Sequence, residues 1–305
     1  MSFSWDIKKK LCAAQTDCPY CRRSELAGII GFSGDFTPEH LKLMTGHDML
    51  AKRICDDFKD VIAYEPDVTG DKSKRILIED ETVLENLRSC LFIDDEQSEK
   101  EFESEILGLD CCRASYIRGA FLSGGCVLDP EKAYHLEFDT KYKKTAGRLM
   151  RVFQKMNYPV KQTSRKNHYL IYIKGYEYIA DILGIMGADS GALTLYSVQV
   201  EKEMRNSINR QVNCDTANAK KLAAASSRQR AAIKLLREKN MFSALPDGLK
   251  ELAELREKYP DESLSALGEM LSIPIGKSGV NHRMNKILDF ALGADHSKKQ
   301  DKNNF

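Results

Sequence analysis

The chain has 305 residues, a net charge of +1 and 42% apolar residues, enough for about two domains and a buried core. Its longest apolar runs are only a few residues, as in Leu26 to Ile30, where a membrane-spanning helix needs roughly 20. Met1-Ser2-Phe3-Ser4-Trp5-Asp6 has no signal-peptide character, so a cytoplasmic protein without a membrane partner is expected.

In chain order, Glu25-Leu-Ala-Gly-Ile-Ile-Gly-Phe-Ser-Gly34 reads as a small-residue apolar helix ending in glycine. An amphipathic stretch over Leu50 to Val61 follows, then a loop around Thr69-Gly70-Asp71, a strand over Arg75 to Glu79 and a helix near Thr82 to Phe92. Tyr116-Ile-Arg-Gly-Ala-Phe-Leu-Ser-Gly-Gly125 echoes the first segment. It is followed by a strand at Ala133 to Phe138, a helix at Thr145 to Met156, a strand at His168 to Ile173 and a helix at Tyr176 to Met186. Two copies, about 20–105 and 112–200, predict an α+β domain with pseudo-two-fold symmetry. Gly28, Gly31, Gly34 and Gly119 each cost helix stability. That cost is sensible where the two copies meet backbone to backbone.

Charge is segregated. Between Glu79 and Glu105 the acids include Asp94, Asp95, Glu96, Glu99, Glu101, Glu103 and Glu105, with Arg88 and Lys100 as the only bases. From Thr140 to Tyr176 there is no acid. Lys143, Lys144, Arg165 and Lys166 in that window are candidate phosphate contacts, a solvated basic surface being the other reading.

Glu201 to Asn240 is polar, basic and helical in pattern, and 206–240 is read as a linker. A three-helix pattern fills 241–305. Helix one starts after Pro246 with Asp247 as N-cap, and carries Leu249, Leu252 and Tyr259. Helix two carries Leu264, Leu267 and Leu271. Ile273-Pro274-Ile275-Gly276 forms the turn, and helix three begins at Lys277-Ser278 with Val280, Met284, Ile287 and Leu288 inward. Its other face presents Ser278, Asn281, His282, Asn285 and Lys286, with Lys277 at the entry and Arg283 at the edge. No acid occurs from Pro274 through Leu288. Asn pairs with adenine and Arg with guanine in the major groove, so double-stranded DNA is the expected partner. A plain bundle with a wet third helix is the other reading.

The nine cysteines are expected to be thiols in a reducing compartment. Cys18-Pro-Tyr-Cys21 with Cys111-Cys112 suggests zinc, but an adjacent pair is a poor chelate. No metal or cofactor is therefore expected. The six histidines form no recognisable catalytic constellation.

The two glycine helices resemble the LAGLIDADG helices of homing endonucleases, in which two such helices pack at a pseudo-dyad. In that family an acid near each helix end holds a divalent ion at the scissile phosphates. Here Ser33 and Gly124 stand at those positions, and neither is a hard-cation ligand. The resemblance thus implies a LAGLIDADG-like scaffold over 1–205 without catalysis. The alternative is a metal-dependent endonuclease recruiting Asp35 or Asp129. The segments Leu264 to Leu271 and Lys277 to Ile287 resemble the helix-turn-helix of sigma factor region 4. Together, from Phe3 to about Ala291, the chain resembles the WhiA family of bacterial regulators. That resemblance implies DNA binding, transcriptional control, a role in cell division or chromosome segregation, and sporulation in spore-forming actinobacteria. It also implies nucleoid association. A weaker reading has the first domain binding a protein partner.

Overall fold

The computed structural model describes residues 2–15, 18–91, 100, 102 and 104–301. Phe92 and most of the acidic cluster (Asp94, Asp95, Glu96, Glu99, Glu101 and Glu103) lie outside them. The chain forms two compact units, Met1–Glu203 and Met204–Phe305.

The first unit opens with α1 (Phe3–Cys12), capped by the Ser2 hydroxyl and anchored through buried Ile7 and Leu11. The first repeat then runs α2 (Pro19–Ser33), β1 (Asp35–Phe36), β2 (Leu41–Thr45), α3 (Asp48–Ile62), β3 (Val68–Thr69), β4 (Lys74–Ile78) and α4 (Glu81–Leu91). The second runs α5 (Asp110–Gly124), β5 (Gly125–Val127), β6 (Leu136–Thr140), α6 (Lys143–Lys155), β7 (Lys161–Arg165), β8 (His168–Ile173) and α7 (Tyr176–Met186). Each repeat builds one four-stranded antiparallel sheet, ordered β1-β2-β4-β3 and β5-β6-β8-β7. The α+β duplication is therefore present, with more strands per repeat than the hydrophobic pattern reveals.

The glycine helices α2 and α5 pack backbone to backbone. A methyl group on Gly28 would strike the Tyr116 carbonyl and the Ala120 amide, and one on Gly119 would strike the Glu25 carbonyl. Only glycine allows this approach. Residues 91 apart are equivalent: Cys21 with Cys112, Ser24 with Ser115, Gly28 with Gly119 and Ser33 with Gly124.

A buried charge cluster breaks that symmetry. Glu25 on α2 is fully buried. It accepts from Arg53 of α3 (Nε–Oε1 2.8 Å, Nη2–Oε2 2.9 Å) and from Arg118 of α5 (Nε–Oε2 2.8 Å). Arg118 also donates to the Met186 carbonyl and the Ser115 hydroxyl. Beside this cluster, buried Asp57 accepts from Arg22 at 2.6 Å, while its Oδ2 has no partner among the described residues. Burial and the Glu25 carboxylate push the Asp57 carboxyl from 3.8 up to about 7, against the pull of Arg22 and Arg53. An unfolded Asp57 ionises near its ordinary value, whereas the folded one holds its proton longer. Its contribution to stability is therefore intact below about pH 4 and declines as pH rises toward 7. Asp57→Asn is expected to flatten this decline in urea titrations followed by tryptophan fluorescence. Trp5, the single tryptophan, stacks on His47 within the first unit and reports that unit.

Helix α8 (Asp189–Glu238) starts in the first unit and ends in the second. Residues 206–238, read from sequence as a linker, belong to this continuous helix. Its last turns enter the second core through Ile233 and Leu236. Ser226 caps the Pro260 carbonyl at 2.5 Å. The second unit adds α9 (Asp247–Lys258), α10 (Leu264–Glu269) and α11 (Lys277–Asp301). Asp247 is the first residue of α9 rather than its N-cap, which is Pro246. Arg256 of α9 is buried with no carboxylate paired to it among the described residues, and its Nη1 donates toward the carbonyls of Tyr259, Pro260 and Glu262. Together with Ser226 it fixes the loop that leads into α10.

Candidate nucleic-acid interface

In the second unit, α10, a turn and α11 pack on α9 through Leu249, Leu252, Leu267, Leu271, Val280, Met284 and Ile287. Ser263 caps α10 by accepting from the Ala266 amide at 3.2 Å. Gly268 lets the turn lie against α10, because a methyl group there would strike the Ile275 carbonyl. The Ile275 amide donates to Gly268 O at 3.1 Å, and Glu251 of α9 accepts from the Ser272 amide and hydroxyl. The turn is thus tied to both flanking helices, which fixes the entry of α11.

Along α11 the inward stripe is Val280, Met284, Ile287 and Ala291. Leu288, expected in it, is only half-buried, because the stripe drifts as the helix turns. Lys277, Ser278, Asn281, His282, Asn285 and Lys286 are exposed. Arg283 differs from these. It is half-buried, and its Nη1 lies 3.5 Å from the Gly248 carbonyl at the start of α9. Gly248 makes room for the guanidinium, which shares a recess with Pro246, Lys286, Asp289 and Phe290.

In the first unit each sheet buries one face and opens the other. The open face of the second sheet carries Lys161, Thr163 and Arg165 opposite Tyr172, Leu170 and His168. The first carries Lys42, Met44 and Arg75. Arg165 thus lies on an open face, and Lys166 follows in a two-residue hairpin turn with Asn167, both at positive φ. Lys143 and Lys144 are exposed at the start of α6, the helix that precedes β7. Lys42, Arg75 and Lys161 were not singled out from sequence. Alternation of charge with apolar residues in β2 and β4 is the signal that marks the first two.

The C-terminal ends of α2 and α5 open onto a cavity of about 470 Å³ lined by Ser33, Asp35, Gly124, Asp139, Tyr142 and His168 among others. Asp35 lies 3.7 Å from His40, and Asp139 accepts or shares a proton with His168 at 2.7 Å. Asp129, the second carboxylate considered from sequence, instead sits in the β5–β6 turn and accepts from the Glu131 amide. At the other end of the helix pair, Cys18, Cys21, Cys111 and Cys112 bring their sulfurs within 4.8 Å of one another. The sequence already allowed the two pairs to approach one another at the dyad, while favouring ordinary thiols over a metal site. Adjacency of Cys111 and Cys112 is no obstacle, because the two helix N-termini converge there.

A duplicated α+β unit with glycine-packed central helices, followed by a trihelical unit with a helix-turn-helix, defines the class. The WhiA LAGLIDADG-like domain matches residues 113–205, and the WhiA C-terminal HTH domain matches 208–291. The chain belongs to the WhiA family. It is 38% identical over 308 residues to the probable cell division protein WhiA of Clostridium botulinum strain Hall, covering 95% of this chain and 98% of that one. The corresponding protein of Alkaliphilus metalliredigens is 36% identical, with the same coverage of both chains. Full-length WhiA from Thermotoga maritima shares the fold at TM-score 0.59 and 24% identity, over 96% of this chain and 98% of that one. No helix among the described residues is long and apolar enough to cross a membrane.

Proposed function

We propose that this protein is a sequence-specific, non-catalytic regulator of transcription that binds double-stranded DNA and acts in cell division. The observation that carries this reading is the exposed face of α11 over Lys277 to Lys286, which carries no acid and sits on a core that fixes its direction. Asn281 and Asn285 have the chemistry to read base edges. Arg283 and Lys286, beside the first turn of α9, suit a backbone phosphate. The open sheet faces, with Arg165 and Lys166 and with Lys143 and Lys144 beyond, supply further phosphate contacts. The relatives' cell-division role, chromosome segregation and, in spore formers, sporulation are the processes such a nucleoid-associated regulator would serve. Ser33 and Gly124 leave the nuclease positions without carboxylates, which supports the non-catalytic part.

The test is a selected DNA site titrated with the full chain at several salt concentrations. Asn281→Ala is expected to weaken specific binding by about 1–3 kcal/mol and leave random DNA unaffected. Arg283→Ala is expected to weaken both alike and to reduce the salt slope by about 1. Failure of selection to enrich any site, or equal losses for both variants on random DNA, would sink sequence reading by α11. Magnesium-dependent plasmid nicking that disappears in Asp35→Asn or Asp139→Asn would overturn the non-catalytic assignment.

A further inference from the structure

We propose that Cys18, Cys21, Cys111 and Cys112 form a closed tetrahedral thiolate site for one divalent ion of the zinc class, which joins the two repeats. Two of the sulfurs come from the start of α2 and two from the start of α5, helices of different repeats. In a tetrahedral zinc–thiolate site with bonds of about 2.3 Å, neighbouring sulfurs stand about 3.8 Å apart. Cys18 and Cys112 are already 4.0 Å apart, and no pair in the group exceeds 4.8 Å. Closing onto an ion therefore requires movements below about 1 Å. Soft sulfur donors favour zinc over magnesium or calcium. Four thiolates leave no open position, so the role is structural rather than catalytic.

The surroundings suit thiolates. A divalent ion with four thiolates carries two net negative charges, and two helix N-termini converge on it. Neither N-cap residue, Cys18 or Leu109, makes a side-chain cap bond. Burial pushes the Cys18 thiol up, but the Tyr20 amide and the neighbouring thiols together bring it below its ordinary value. Burial pushes Cys21 up to about 11 and raises Cys112 as well. Ser115 and Ser24, equivalent residues of the two helices, are both buried. Cys111 is exposed, which gives an ion a route in.

The test uses the full chain, purified under reducing conditions from zinc-supplemented medium. Mass-spectrometric metal analysis is expected to find one equivalent of zinc. Exchange for cobalt(II) is expected to give thiolate-to-cobalt charge-transfer and tetrahedral ligand-field bands. Cys111→Ser should lose both signals, while Cys214→Ser, at an exposed cysteine on α8, should keep them. Should Cys111→Ser fail to fold, the cobalt spectrum of the unaltered chain decides. Reduced, folded protein that holds no zinc and gives no cobalt–thiolate band overturns the proposal. So does a disulfide mapped among these four cysteines in the folded protein without metal.

Discussion

Glu25→Ala is expected to destabilise the first unit by about 3–5 kcal/mol, a large share of the stability of an ordinary domain. The carboxylate is the common acceptor for Arg53 and Arg118, and all three side chains are buried. Removing it strands two guanidinium groups away from water. Arg53 retains the Ala14 carbonyl and a 3.9 Å approach to Asp57. Arg118 retains the Met186 carbonyl and Ser115. Arg118 is left with no acid in its set, and Arg53 with Asp57 alone, which Arg22 already engages at 2.6 Å. The loss is read as a shift in the urea midpoint by Trp5 fluorescence. Adding Arg118→Met to Glu25→Ala should recover part of it, because the second change removes one of the stranded charges. Equal stability of Glu25→Ala and the unaltered chain would show that the cluster is not what holds α2, α3 and α5 together.

Gly119→Val is expected to cost about 3 kcal/mol or more, because its side chain must displace the backbone of α2 rather than a flexible side chain. Gly147→Ala is the matched control. It too lies inside a helix, but a methyl group there meets nothing within 4 Å among the described residues. That substitution should be neutral or stabilise by up to about 1 kcal/mol, since alanine is the better helix former. The same fluorescence titration separates the two outcomes. Similar midpoints for both variants would refute close backbone packing at the dyad.

The fold was legible where a periodic apolar pattern met a long element. In α3, Leu50, Ala51, Ile54 and Phe58 are buried at helical spacing, and the pattern shows this plainly. β7, Lys-Gln-Thr-Ser-Arg, is exposed at every residue. It is an edge strand held by backbone pairing to β8, and backbone pairing leaves no hydrophobic signature. β1 and β3 have only two residues each, too few to show a period. The exposed polar face of α11 was legible because one buried stripe determines what faces away from it. The partial burial of Arg283 was not, since it depends on Gly248, which is 35 residues away. The role of Glu25 was hidden for the same reason: Arg118 is 93 residues distant. Convergence of the four cysteines was suggested by their places just before the two glycine helices, but spacing along the chain does not say how closely two helix ends meet in space.

The Glu25–Arg118 pair has a consequence for ancestry and assembly. The residue equivalent to Arg118 in the first repeat is Ala27, and the one equivalent to Glu25 in the second is Tyr116. Two copies of the first repeat meeting about a true two-fold axis would bury each glutamate against an alanine. Two copies of the second would bury each arginine beside a tyrosine with no acid to neutralise it. At this pair the halves are lock and key for one another, and neither is complementary to a copy of itself.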